Sequence, residues 1–140
     1  MRDVNFEIRK AYYSIITGLG YDVFYQQAPQ TLNSDSYIIL SSLTSNDTST
    51  KNTNDLDFSM QVKIYTKSYK GNSGVDADTI AGNILNAIMP TPQFNITLSD
   101  TTLQVVNTIL QSDIVQDYSD NSGVIYIDRF ITFKHKIFQQ

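Results

Sequence analysis

The sequence predicts a single α+β (mixed α/β) domain with a mainly antiparallel sheet, two helices and one long polar strand-strand loop. Three observations lead there. The chain is 140 residues long, enough for one domain with one core and too short for two. Two segments repeat apolar residues at spacings of three and four, the period of an amphipathic helix. Other segments alternate apolar with polar residues or run through β-branched and aromatic ones, as strands do.

The first helix is read from Val4, Ile8, Ala11, Tyr12, Ile15, Ile16 and Leu19, which fall on one face. Asp3 is its expected N-cap, and Gly20 its left-handed C′ residue. A short extended segment is expected at 21–25. Pro29 marks a loop, because its ring fixes φ and pushes Ala28 out of helical geometry. Tyr37-Ile38-Ile39-Leu40 reads as a strand covered on both faces or one near the sheet centre. Phe58, Met60, Val62 and Ile64 alternate with Ser59, Gln61, Lys63 and Tyr65, giving a neighbouring strand with one buried face.

Between these strands, Thr44, Ser45, Asn46, Asp47, Thr48, Ser49, Thr50, Lys51, Asn52, Thr53, Asn54 and Asp55 include no aliphatic or aromatic side chain. They predict a protruding, mobile loop. After a turn at 70–74, Ala77, Ile80, Ala81, Ile84, Leu85 and Ile88 outline a second helix that starts near Asp76 or Asp78 and stops at Pro90. Extended segments are expected at 94–98 and 102–110, and a turn at 120–123. The last strand, 124–138, places Ile125, Ile127, Ile131, Phe133 and Ile137 on one parity, interrupted by Arg129 and His135.

Composition removes most chemistries. Hydrophobic residues make up 41% and charged residues 17%, too apolar for disorder, and no run reaches the roughly 18 apolar residues of a membrane helix. The first residues lack the basic start and apolar stretch of a secretory signal, so a soluble protein retained in the producing cell is expected. With no cysteine and His135 as the lone histidine, disulfides, thiolate metal sites and most His-based triads are absent. A net charge of −4 argues against general nucleic-acid binding.

Each candidate motif has an ordinary structural explanation. Gly71 and Gly74 before a helix, with Lys67 and Lys70 nearby, lack the P-loop pattern and are followed by acidic Asp76 and Asp78. Asp113, Asp117, Asp120 and Asn121, or Asn52, Asn54, Asp55 and Asp57, supply hard oxygen ligands but match no calcium loop, and read as solvated loop residues. Glu7 is expected on the solvent side of the first helix. Asp128 is expected to pair with Arg129 or Lys63, and His135 to be a strand-face residue. Lys63, Lys67 and Lys70 could join Arg129, Lys134 and Lys136 in a basic stripe if their strands are neighbours, with Tyr65, Tyr69 and Tyr126 among them. No catalytic, cofactor or metal site is nominated.

The order of elements resembles the tail-completion or tail-terminator family of long-tailed bacteriophages, proteins that form a ring at the head-proximal end of the tail. The likeness is carried by the helix ending at Gly20-Tyr21, the strand Tyr37-Ile38-Ile39-Leu40, and the strand running into Ile64-Tyr65-Thr66-Lys67-Ser68. The helix with Ala77, Ala81, Ile84 and Leu85 follows, and then the last strand with Asp128 and Phe133-Lys134. The polar loop at 44–55 departs from a compact hairpin. The resemblance implies a sheet packed against the helices and a homo-oligomeric, hexameric ring that caps the tail tube and meets the head-tail connector. Its partners would be itself, the tail tube protein and a connector or neck protein, with genomic DNA sliding through the lumen unbound. Such a protein would sit in the virion after synthesis in the bacterial host cytoplasm, without enzymatic activity, cofactor or membrane contact. The loop at 44–55 would then be its partner-docking element. The alternatives are a head-tail adaptor or neck ring protein and, from another class, a small cytoplasmic ligand-binding or catalytic domain.

Overall fold

The computed structural model describes residues 3–29, 35–51, 54–68, 75–91, 94–119 and 123–140. Its elements are α1 (Asn5–Gly18), β1 (Val23–Tyr25), β2 (Ser36–Asp47), β3 (Asp55–Ser68), α2 (Val75–Ile88), β4 (Leu103–Ser119) and β5 (Ile125–Gln139). The strands form one open sheet in the order β1-β2-β3-β5-β4, with β1 parallel to β2 and every other pair antiparallel. The α+β fold expected from the sequence is the observed one.

Strand parity decides what each face holds. The register Ile38↔Ile64, Leu40↔Val62, Val62↔Ile131 and Met60↔Phe133 puts these apolar side chains on one face. The helices cover that face. Ile8, Tyr12 and Ile16 of α1 and Ile80, Ala81, Ile84 and Ile88 of α2 join the same buried cluster, each large side chain contributing roughly 1.5–3 kcal/mol by leaving water. Among the described residues the other face carries no helix, and it displays the odd residues of β3 and the even residues of β5.

Several boundaries differ from expectation, each for a physical reason. Val4, not Asp3, is the α1 N-cap. The Asp3 carboxylate accepts the Asn5 N–H at 2.9 Å just outside the helix. α2 does start beside Asp76, at Val75, as the sequence predicts. Residues 94–98 form no strand, yet Ile96 and Leu98 are buried in the core. Glu7 is not a free solvent-side residue: its carboxylate accepts from Ser99 Oγ at 2.7 Å and the Asp100 N–H at 3.2 Å, clipping this segment to α1. These bonds, with Lys10 at 3.1 Å, hold its carboxyl below the usual carboxylate range, Ser99 most strongly.

The largest correction concerns the polar stretch at 44–55. Thr44, Ser45, Asn46 and Asp47 continue β2 by pairing with Ser59, Phe58, Asp57 and Leu56, and Asp55 already belongs to β3. The expected long loop is therefore shortened from both ends, since its first four residues and its last are paired strand. Ser49 ties these ends: its N–H donates to the Asp47 carboxylate at 2.8 Å, and its hydroxyl accepts the Asp55 N–H at 3.1 Å. Polar residues suit these positions because the partner strand supplies the backbone bonds and solvent takes the side chains.

Gly20 ends α1 as the sequence predicts, with φ +93° and its N–H donating to the Thr17 carbonyl at 3.0 Å. A Cβ there would meet no atom within 4 Å, so substitution costs backbone strain without a clash. Gly20→Ala is expected to lower unfolding free energy by about 1 kcal/mol, read from urea denaturation. An unchanged midpoint would refute the left-handed cap.

Candidate functional site

Polar and aromatic chemistry concentrates in four places. The first is a hydrogen-bonded chain through the core. Tyr12 of α1, His135 of β5 and Thr108 of β4 are all buried. Tyr12 Oη bonds His135 Nε2, His135 Nδ1 lies 2.9 Å from Thr108 Oγ1, and Thr108 Oγ1 donates to Asn95 Oδ1 at 3.1 Å. One set of directions satisfies every group: the tyrosine O–H donates to Nε2, Nδ1–H donates to the threonine, and the threonine donates to the asparagine. Burial drives the imidazole pKa down to about 4 and the Tyr12 phenol well above its ordinary value. With no exposed surface, His135 is a core ligand of its neighbours and cannot meet a substrate. It lies on the core face, on the parity of Ile131 and Phe133, which it continues rather than interrupts.

The second is a guanidinium clamp. Arg129 faces the helix side opposite Ile64. Its Nη2 and Nε reach the two Asp113 oxygens at 2.6 and 2.9 Å, and Nη1 reaches Asp78 Oδ1 at 3.1 Å. This joins β5, β4 and α2. Asp113 is thus a strand residue fixed by an arginine rather than a solvated loop ligand, and Asp117 is likewise in β4. Arg129 does not pair with Asp128. In the second oxygen cluster, Asp57 lies 3.6 Å from Lys134. Among the described residues no three His, Cys, Asp or Glu side chains converge as a metal site would need.

The third is the open sheet face. Phe24, Tyr37, Tyr65 and Phe130, on four successive strands, form an aromatic ladder with ring centroids 6.5, 5.0 and 5.9 Å apart. Tyr118 stacks on Tyr126 at 5.0 Å. Asp128 lies opposite Tyr65 and Gln116 and is only 7% exposed. Desolvation raises its carboxyl pKa. Desolvation, followed by the Asp128 charge, raises those of Tyr37, Tyr65 and Tyr118. Lys63, Lys67, Lys134 and Lys136 do share this face across neighbouring strands. Arg129 does not, and Lys70 and Tyr69, like Gly71, Gly74, Asp120, Asn121, Asn52 and Thr53, lie outside the described residues.

An acid whose folded pKa exceeds its unfolded one is most favourable to folding at low pH. Its contribution is lost as pH rises from the unfolded value to the folded one. Asp128→Asn is therefore expected to raise the thermal midpoint at pH 8 and to leave it almost unchanged at pH 3, measured by circular dichroism. A lower midpoint at pH 8 would mean the carboxylate has a stabilising partner.

The fourth is the β4 edge. Val106, Ile109, Leu110, Ile114, Val115 and Tyr118 are each 43–57% exposed. Ile109, Ile114 and Tyr118 project to the open face, and Leu110 and Val115 to the helix side. An edge strand this long and apolar on both sides is what monomeric proteins avoid. Sequence reasoning missed it, placing Asp113 and Asp117 in a loop. The signal available was Ile109, Leu110, Ile114, Val115 and Tyr118, a β-prone series diluted by Gln, Ser and Asp.

No family model and no curated protein matches the sequence. Among solved structures, a chain from the virion of a native gene transfer agent (GTA) particle superposes with a TM-score of 0.71 at 15% identity, over 99% of both chains. A second solved chain superposes with a TM-score of 0.55 at 12% identity, over 91% of this chain and 92% of its own. At such identities the shared property is the fold.

Proposed function

We propose that this chain is a non-enzymatic structural protein of a phage or phage-like virion, acting as a tail-terminator or tail-completion ring. The observation that carries this reading is the end-to-end likeness in fold to a chain of a gene transfer agent virion. The exposed apolar β4 edge supports it, since ring subunits need surfaces that other subunits cover. In this role a hexameric ring caps the last tail-tube ring and offers its opposite face to the head connector. An acidic subunit, at net −4, lets DNA pass through the lumen without sticking. The stretch 44–55, whose ends are the facing strand ends of β2 and β3, docks to the tube or neck.

Electron microscopy of lysates from a phage whose reading frame for this chain is disrupted tests the role. Abnormally long or unjoined tails beside DNA-filled heads are expected. Normal tails beside leaking heads would move the protein to the neck, and intact virions would overturn a structural role. Separately, removing Thr50, Lys51 and Asn52 should abolish attachment to tails while rings still form. Normal attachment would overturn the docking role of this stretch.

A further inference from the structure

We propose that the β4 edge of one copy docks head to tail on the α1–β1 corner of the next, so that these two surfaces form the contact between ring subunits. The inference rests on the ring reading and names the surfaces that would build it. The β4 side presents Ile109, Ile114, Val115 and Tyr118. Its second half, from Asp113 to Tyr118, carries an excess of negative charge, with Asp78, Asp113 and Asp117 around the guanidinium of Arg129, whereas Lys134 and Lys136 stand beside Ile109 and Asn107 at the other end.

The opposite edge of the sheet has the complementary character. Phe6 and Tyr13 of α1 are 55% and 51% exposed. With Arg9, Phe24 and Tyr25 they line a basin of about 240 Å³. This is smaller than the roughly 300–1,000 Å³ of small-molecule pockets and suits an inserted side chain. Arg9 holds its guanidinium over the Tyr25 ring at 4.4 Å and over Phe6 at 5.3 Å. Among the described residues no carboxylate forms an ion pair with it. The corner is rigid. Asn5 Oδ1 accepts from Ser42 Oγ at 2.6 Å and from Tyr25 Oη at 3.4 Å, pinning α1 to β1 and β2.

A second copy is the occupant these features favour, and the contact is heterologous. In antiparallel self-pairing of the acidic second half of β4 about Val115, Asp113 of one chain would face Asp117 of the other, which like-charge repulsion disfavours. Pairing with the Arg9 corner instead joins acidic to basic and apolar to apolar. Because the two surfaces sit at opposite edges of one sheet, repetition of the contact gives a closed ring or an open filament, depending on the rotation per step.

The chain has no cysteine, so single cysteines report the contact directly. Ile114→Cys and Tyr13→Cys chains, mixed under mild oxidation, are expected to yield a disulfide-linked dimer about tenfold faster than either alone, or than Ile114→Cys with Lys51→Cys between β2 and β3. Tyr118→Cys with Phe6→Cys serves as a second pair should one variant fold poorly. Self-linking of Ile114→Cys as fast as the mixture, or no linking by either pair, would overturn the proposal. Rings seen by negative stain without linking would overturn the docking and leave the ring reading standing. A chain carrying both cysteines that links into open filaments would keep the docking and overturn ring closure.

Discussion

Acidification from pH 7 to pH 4 is expected to remove about 3 kcal/mol of folding stability through His135 alone. The imidazole is fully buried, and its folded pKa of about 4 lies below the ordinary 6.5. Above pH 6.5 the ring is neutral in both states and imposes no penalty. As pH falls below 6.5 the unfolded chain takes up a proton that the folded one refuses, and stability declines at roughly 1.4 kcal/mol per unit until the folded ring also protonates near pH 4. Glu7, whose folded pKa is depressed, adds a further loss at the acid end as its carboxylate protonates.

Comparison with His135→Leu isolates the histidine. At pH 7 that variant should be less stable by about 1–3 kcal/mol, because Tyr12 Oη loses its partner in the core. Thr108 keeps Asn95. The variant has no titrating ring, so its urea-denaturation curve should approach or pass that of the natural chain by pH 4.5. Parallel pH profiles for the two proteins would show that His135 does not carry the acid response.

The same histidine shows where the sequence is transparent and where it is not. The period of Ile8, Tyr12 and Ile16 marks the buried side of α1, because a helix repeats within its own segment. The alternation in β3 likewise marks its core face. His135 and Arg129 look like interruptions in β5 because their partners are far away in the chain: Tyr12 and Thr108 for one, Asp78 and Asp113 for the other. Only the order β3-β5-β4 and its register bring them together, and register is a tertiary property.

Two long strand extensions were hidden for a related reason. Residues 44–47 are strand because Leu56, Asp57, Phe58 and Ser59 lie beside them. The second half of β4 is strand because β5 supplies a partner along its whole length. Neither segment has a buried face of its own, so neither shows alternation. The candidate interaction surface was illegible for the same cause: apolar residues on a strand exposed at both faces form no period, and their exposure is known only once β4 is found at the edge. The aromatic ladder also needs β1, β2, β3 and β5 in their observed order before Phe24, Tyr37, Tyr65 and Phe130 become neighbours.

Two phenylalanines on β5 measure how differently the sheet's two faces are used. Phe133 points to the helix side, is fully buried, and packs against Tyr12 and His135 with centroids 6.1 and 6.4 Å away. Phe133→Ala removes a ring from a close-packed core that cannot collapse around the gap, and is expected to cost about 3–5 kcal/mol. Phe130 points to the open face, where it is half-buried and meets Tyr65 at 5.9 Å. Without helices above it, solvent fills the space its ring vacates, and Phe130→Ala should cost about 1–2 kcal/mol. Urea denaturation of both variants at pH 7 gives the comparison. Equal losses would mean that the open face is as tightly enclosed as the core in the isolated chain, which would contradict the one-sided helix layer and leave the aromatic ladder without a free surface to offer a partner.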